Sequence, residues 1–560
     1  MLRRFSLIAG VAAMCCAAAC ASALALEVDD QSRARVLAAE LALDGGNCRD
    51  AAERYAGAAA KSRDPRLLRR ATEVSVACEH LPAAWESSQR WRAIDPENVD
   101  ALRAAGLVAL GLYRLGDARA IFGELLRKPD VEPDRALQEL LPQLLSGDDI
   151  NAAWATMNTV VDRDAIDQPI MLQLADLAVA ADDLGGAKAL ADRVLAKSPE
   201  SAKALQLGAR LRAADGNATE GLEMARRAAG SPGDEPEAAF AVAEVLIDLD
   251  RNEEAHRELE RLAQLPATSE EADRRLALLA LATGDFDEAR RRFGERLQRS
   301  AGAAEAFFYL GTIAERSGDD ELALQTYQRL VAAGAGLLPR SRAASLLVRT
   351  GKREEALALL DDYLKRNPQQ VIDVVVARAE LLLQAGAARE AVAEVDAALR
   401  RYPQHPQLEY HRAMVFERAA RHRDSIQAFE RLLKRRPDDP TVLNALGYTL
   451  GDRRQQLPRA EALIRRALLA MPDNAPAIDS LAWVLYRQGN ARDALPLFER
   501  AYHLSRDSEI AAHWGEVLWV SGRQAEARTV WARALARTPN SQAVREAIAR
   551  FAPAANSDQK

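Results

Sequence analysis

The chain of 560 residues is 49% hydrophobic, 5% aromatic and 28% charged, with a formal net charge of −7. A composition rich in Ala, Leu, Arg and Glu is that of a long helical protein. The acidic balance, with both signs mixed along the chain and no basic stripe, argues against nucleic acid as a partner.

At the amino terminus Arg3 and Arg4 precede the apolar, Ala-rich run Leu7 to Cys20, and Ala23-Leu24-Ala25 then offers small residues to a signal peptidase. The run is shorter than the roughly 20 residues a spanning helix needs. Residues 1–25 therefore read as a removable secretory signal rather than a buried first helix. Cys20 follows Ala17-Ala18-Ala19, an alternative processing site that lacks the usual leucine three places before the cysteine. Lipidation at Cys20 would leave a membrane-anchored protein, and cleavage after Ala25 a soluble periplasmic one. The residues favour the second. No later stretch has spanning length, so a lipid anchor is the one expected route to a membrane.

Beyond the signal, prolines that close a helical stretch recur at Pro96, Pro129, Pro199, Pro232, Pro266, Pro368, Pro403, Pro437, Pro472 and Pro539. Their separations, 33, 70, 33, 34, 102, 35, 34, 35 and 67, are each one, two or three multiples of about 34. Within a period the apolar spacing is helical and breaks once, near Gly or Asp, which makes the unit two antiparallel helices and a turn. The stretch from Ala304 places Phe307, Leu310 and Gly311 before a turn at Gly318-Asp319, then Ala323, Tyr327 and Leu330. Small residues such as Gly311, Gly447, Ala482, Ala323 and Ala494 belong where the helices cross closely. Proline ends the second helix because it lacks the N–H and clashes with the preceding turn.

Fifteen units follow, starting near Ser32, Pro65, Val99, Asp134, Gln168, Ala202, Pro236, Glu270, Ala304, Leu337, Val371, Pro406, Pro440, Ala475 and Glu509. They divide into divergent repeats over 32–165 and a main array over 166–540, because Pro142 is expected to interrupt the first helix of the Asp134 unit. Residues 541–551 read as a capping helix, against which Trp514, Trp519 and Trp531 would seal the core. A disordered tail is expected over 552–560.

These residues resemble the tetratricopeptide repeat, W-x2-L-G-x2-Y…A-x3-F…P at a period of 34. The resemblance implies an all-α, right-handed superhelical solenoid whose concave wall is lined by first helices. No motif for chemistry accompanies it. The histidines (His80, His256, His405, His411, His422, His503, His513) form no HExxH, and there is no nucleophile elbow, phosphate loop or dinucleotide fingerprint. No enzyme activity, metal or cofactor is expected.

Candidate binding residues are those of the last three first helices. Asn444, Tyr448, Asp479, Trp483, Tyr486 and His513 combine aromatic anchors with groups that pair a peptide backbone, as an extended protein segment requires. The alternative is that Tyr448 and Trp483 pack against neighbouring helices. Of the cysteines outside the signal, Cys48 begins the second helix of one unit and Cys78 ends the first helix of the next. Antiparallel packing puts both ends on one edge, where an oxidising compartment would join them; the alternative is two buried thiols.

The stretches LNALGYTLGDR (443–453), AIDSLAWVLYRQGN (477–490) and AAHWGEVLWVSGR (511–523) are similar to long proteobacterial repeat proteins. That group includes outer-membrane lipoprotein adaptors of a carboxyl-terminal processing protease. The resemblance implies a periplasmic scaffold bringing a serine protease to cell-envelope substrates such as peptidoglycan hydrolases. An assembly or secretion scaffold of the envelope, for example in polysaccharide export, is the competing reading.

Overall fold

The computed structural model describes residues 30–147, 149–230, 236–298 and 302–552. Cys20, Ala25, the signal and the tail from Pro553 lie outside them. The described residues contain thirty-one α-helices, two short 3-10 helices and no strand. First helices begin at Asp30, Pro65, Val99, Pro133, Gln168, Ala202, Pro236, Ser269, Ala303, Leu337, Val371, Pro406, Pro440, Ala475 and Ser508, the Pro236 one opening with a 3-10 turn. Each start lies within two residues of that expected from the proline period. The fold is the all-α array of helix pairs that the sequence implies.

Local chemistry sets the units. At the turn between paired helices Gly318 and Gly489 take φ of +84° and +90°, backbone that a Cβ disfavours. Asp319 and Asn490 then cap the second helix, accepting from Leu322 N and Asp493 N, a bond worth about 1 kcal/mol. Where no glycine is present, Glu79, Tyr113, Asp182, Asp250 and Ala420 adopt the left-handed conformation instead.

Packing follows the same repeat. Tyr55, Phe122, Phe293, Tyr327, Phe429, Phe498 and Trp531 are fully buried on second helices, each worth roughly 2–3 kcal/mol of apolar burial. Facing three of them, Phe122, Tyr327 and Trp531, stand glycines that leave room for the ring. A Cβ on Gly311 would come within 2.7 Å of the Tyr327 ring, and one on Gly515 within 2.0 Å of Trp531 Nε1.

Pro142 does not interrupt its helix. Pro133–Ser146 is continuous and buries Leu137, Leu140, Leu141 and Leu144. The missing N–H falls near the carboxyl end, where one lost bond is outweighed by a leucine-rich buried face.

The chain forms two compact bodies, each drawn from two separated segments. Of the described residues, one gathers those up to Ile170 with Leu364–Asp439, the other those between Met171 and Tyr363 with those from Pro440 to Ala552. Inside the first, Tyr113 Oη donates to the Asp438 carbonyl at 3.0 Å and Arg401 Nη2 to the Gly46 carbonyl at 3.2 Å. Inside the second, Asn474 Nδ2 donates to Asp182 Oδ2 at 2.8 Å, and Arg537 Nη2 to Asp250 Oδ1 at 2.6 Å. In both bodies, turns within early repeats therefore meet loops between late ones. The helix Gln542–Phe551 places Val544 and Ala547 in one apolar cluster with Trp531, Trp514 and Trp519. No helix among the described residues is long and apolar enough to cross a membrane.

Candidate functional site

Three first helices of the second body, Pro440–Asp452, Ala475–Arg487 and Ser508–Val520, carry the candidate wall. Asn474 caps the middle one by accepting from Ala477 N at 3.0 Å. Asp507 caps the last, accepting from Glu509 N and Ile510 N. With their starts fixed, residues three or four apart share a face, so 444, 448 and 452 form one row and 479, 483, 486 and 487 the next.

The centre of the wall is a closed network. His513 Nδ1 lies 3.0 Å from Asp479 Oδ2, and its ring stacks on Trp483 with centroids 4.3 Å apart. Burial pushes the imidazole pKa down, but the charge and hydrogen bond of Asp479, with Glu516 and Glu509 beyond, outweigh it and raise it above the usual value. Trp483 is 5% exposed. Its Nε1 donates to Asp452 Oδ1 at 3.2 Å, Arg487 donates to the same oxygen at 3.3 Å, and the guanidinium lies 4.5 Å from the indole centroid. Tyr486 is half-buried and donates to Glu516 Oε1 at 3.3 Å. Burial, and then the Glu516 carboxylate, raise its phenol.

The Pro440–Asp452 helix is different. Asn444 Oδ1 is shielded from solvent and accepts no hydrogen bond. One turn on, Tyr448 is half-buried. Its phenol pKa is raised by burial and then by Asp452, Asp479 and Glu509, with Arg487 opposing. Of the six residues, Asp479, Trp483, Tyr486 and His513 hold one another or a neighbour, while Asn444 presents an unused acceptor beside an aromatic ring. Sequence reasoning missed Asp452, Arg487 and Glu516. Asp452 and Arg487 lie one turn beyond Tyr448 and Trp483, so following the same helix face further would have reached them.

Cys48 and Cys78 are joined by a disulfide, with Cα atoms 5.2 Å apart, in the first body. Cys48 opens the helix Cys48–Ala59 and Cys78 caps the end of Pro65–Ala77. Among the described residues no three His, Cys, Asp or Glu side chains are grouped to hold a metal.

Fold and wall together define a class, a helical-repeat scaffold that offers surface to other proteins. The tetratricopeptide repeat family model matches residues 274–337, 341–406, 376–440, 410–477 and 480–543, and over these residues the chain carries tetratricopeptide repeats. A TPR repeat-containing protein of Pseudomonas aeruginosa, PA4667, is 32% identical over 216 residues, 38% of this chain and 36% of that protein. The match thus spans about a third of that relative's length. Among solved structures, a thermophilic TPR protein of Thermus thermophilus is 21% identical over 32% of this chain and 98% of its own, with a TM-score of 0.30. Yeast Tom70 is 14% identical over 92% of this chain and 97% of its own, with a TM-score of 0.31.

Proposed function

We propose that the protein is an exported, periplasmic adaptor that holds an extended segment of another protein along the first helices of its last three repeats. It would thereby bring a processing protease together with its cell-envelope substrates. The observation that carries the binding reading is the pairing of Asn444 Oδ1, buried and unused, with the half-buried Tyr448 one turn away. A buried acceptor left unmade is unfavourable, and a backbone N–H of a bound segment would satisfy it while an apolar side chain covers the Tyr448 ring. The closed network behind gives the wall a fixed shape, so little ordering accompanies binding. The protease and the compartment rest on the likeness of 443–453, 477–490 and 511–523 to envelope adaptors.

Affinity capture from periplasmic and membrane fractions, comparing the wild type with Asn444→Ala and Tyr448→Ala, tests the reading. Recovery of a serine protease that both substitutions weaken supports the adaptor. Recovery of export machinery instead replaces it with a secretion scaffold, and equal capture by the variants moves the site elsewhere.

A further inference from the structure

Apart from the wall, the second body contains a cavity of about 330 Å³ between the last second helices and the turns near Asp250 and Thr283. Its volume is near the lower end of the roughly 300–1,000 Å³ typical of small-molecule sites. Arg506, Arg533 and Arg537 line it, with His503 and Tyr502.

Two hydrogen-bond donors there are left unused. Tyr502 is 4% exposed, yet its Oη has no partner. Arg537 Nη1 is likewise shielded from solvent and without an acceptor, while Nη2 is held by Asp250. Native interiors rarely leave such groups unmade, and the exceptions call for an explanation. Arg506 Nη1 lies 3.0 Å from His503 Nδ1, and its guanidinium carbon 5.9 Å from the Tyr502 ring centroid. Burial lowers the Arg506 pKa, and the nearby Arg537 and Arg533 lower it further against the pull of Asp250. Three guanidiniums thus meet two carboxylates, Asp250 and Glu499, around the same space. Surplus positive charge with unfilled donors is the environment an oxyanion completes, through charge-assisted bonds.

We propose that this cavity binds an oxyanion, the phosphoryl or carboxylate group of a small ligand. Tyr502 Oη and Arg537 Nη1 donate to it, and Arg506 and Arg533 neutralise it.

Titration calorimetry on the full chain at low ionic strength, with inorganic pyrophosphate in one arm and citrate in the other, tests this against sodium chloride of matched ionic strength. The expected result is one saturable site for at least one of the two anions, and the arm that binds identifies the oxyanion. Tyr502→Phe and Arg506→Gln should each weaken binding at least tenfold. Arg465→Gln, at an exposed arginine paired with Glu461 and outside the cavity, should not. The Tyr502 hydroxyl makes no bond in the free protein, so Tyr502→Phe should melt like the wild type, which separates lost binding from lost folding. No saturable binding in either arm, or binding that survives both substitutions, overturns the proposal.

Discussion

Replacing Trp483 by alanine separates the two roles an aromatic can have on the wall. The indole is 5% exposed, stacks on His513 at 4.3 Å and hydrogen-bonds Asp452 at 3.2 Å. Truncating a core tryptophan costs about 3–5 kcal/mol, of which the ring stack supplies about 0.5–1.5 kcal/mol. Asp452 keeps Arg487 as a partner at 3.3 Å, so no orphaned carboxylate adds to the loss. Repeats depend mainly on their neighbours, so the effect should be local. The opening constant of the last repeats should rise by roughly 10² to 4 × 10³-fold, at about 1.4 kcal/mol per factor of ten. Amide exchange read by mass spectrometry over 475–551, beside that over 65–126, measures it. Tyr486→Ala removes one partly exposed hydrogen bond and should cost about 1 kcal/mol. If it anchors a partner, it should weaken capture by about 2 kcal/mol, or thirtyfold. Unchanged exchange over 475–551 in Trp483→Ala would refute the packing argument. Equal destabilisation by both substitutions would refute the distinction between them.

Three further outcomes are expected. His513 has a raised pKa, so its bond to Asp479 should contribute fully below its unfolded value of about 6.5. That contribution should be lost as pH rises through the folded value. The melt of the last repeats should fall across that window and lose this dependence in His513→Gln; a wild type with a flat profile contradicts this. The disulfide closes a loop with a sequence separation of 30, so Cys78→Ser should cost about 3–4 kcal/mol by loop entropy. The loss should appear as faster exchange in the first two repeats, and an unaltered exchange pattern there would count against it. Truncation after Asn540 should uncover the apolar cluster that Val544 and Ala547 enter with Trp531 and promote self-association; a monomer by light scattering that melts like the full chain would remove the capping role.

The repeat was legible because one chemical pattern recurs. Proline after most second helices, a small residue at the crossing and a large one about sixteen positions on fix where each pair begins. Pro142 misled because a proline is read locally, while its tolerance depends on four buried leucines around it. At the wall, helical periodicity identified the row of Tyr448, Trp483 and Tyr486. It could not tell which ring the next helix covers, because that depends on side-chain direction and on His513 from the following repeat. Contacts such as Asn474 with Asp182, or Arg537 with Asp250, join residues nearly three hundred positions apart. They follow from how each body folds back on itself, and no local pattern announces them. The arginine cavity is built from such contacts; its one sequence trace is the pair Arg533 and Arg537, four apart on one helix face.

The central claim is that the wall holds a segment of another protein. It is tested most directly by placing a photo-crosslinking residue at the open position, Tyr448→p-benzoylphenylalanine, and irradiating cells that make the protein. The same residue at Leu469, which is 84% exposed on a second helix, serves as the comparison. A wall that binds protein should give a discrete adduct at Tyr448, absent at Leu469, whose partner peptide is identified by mass spectrometry. If Tyr448 gives no adduct beyond those at Leu469, the wall is not the binding surface.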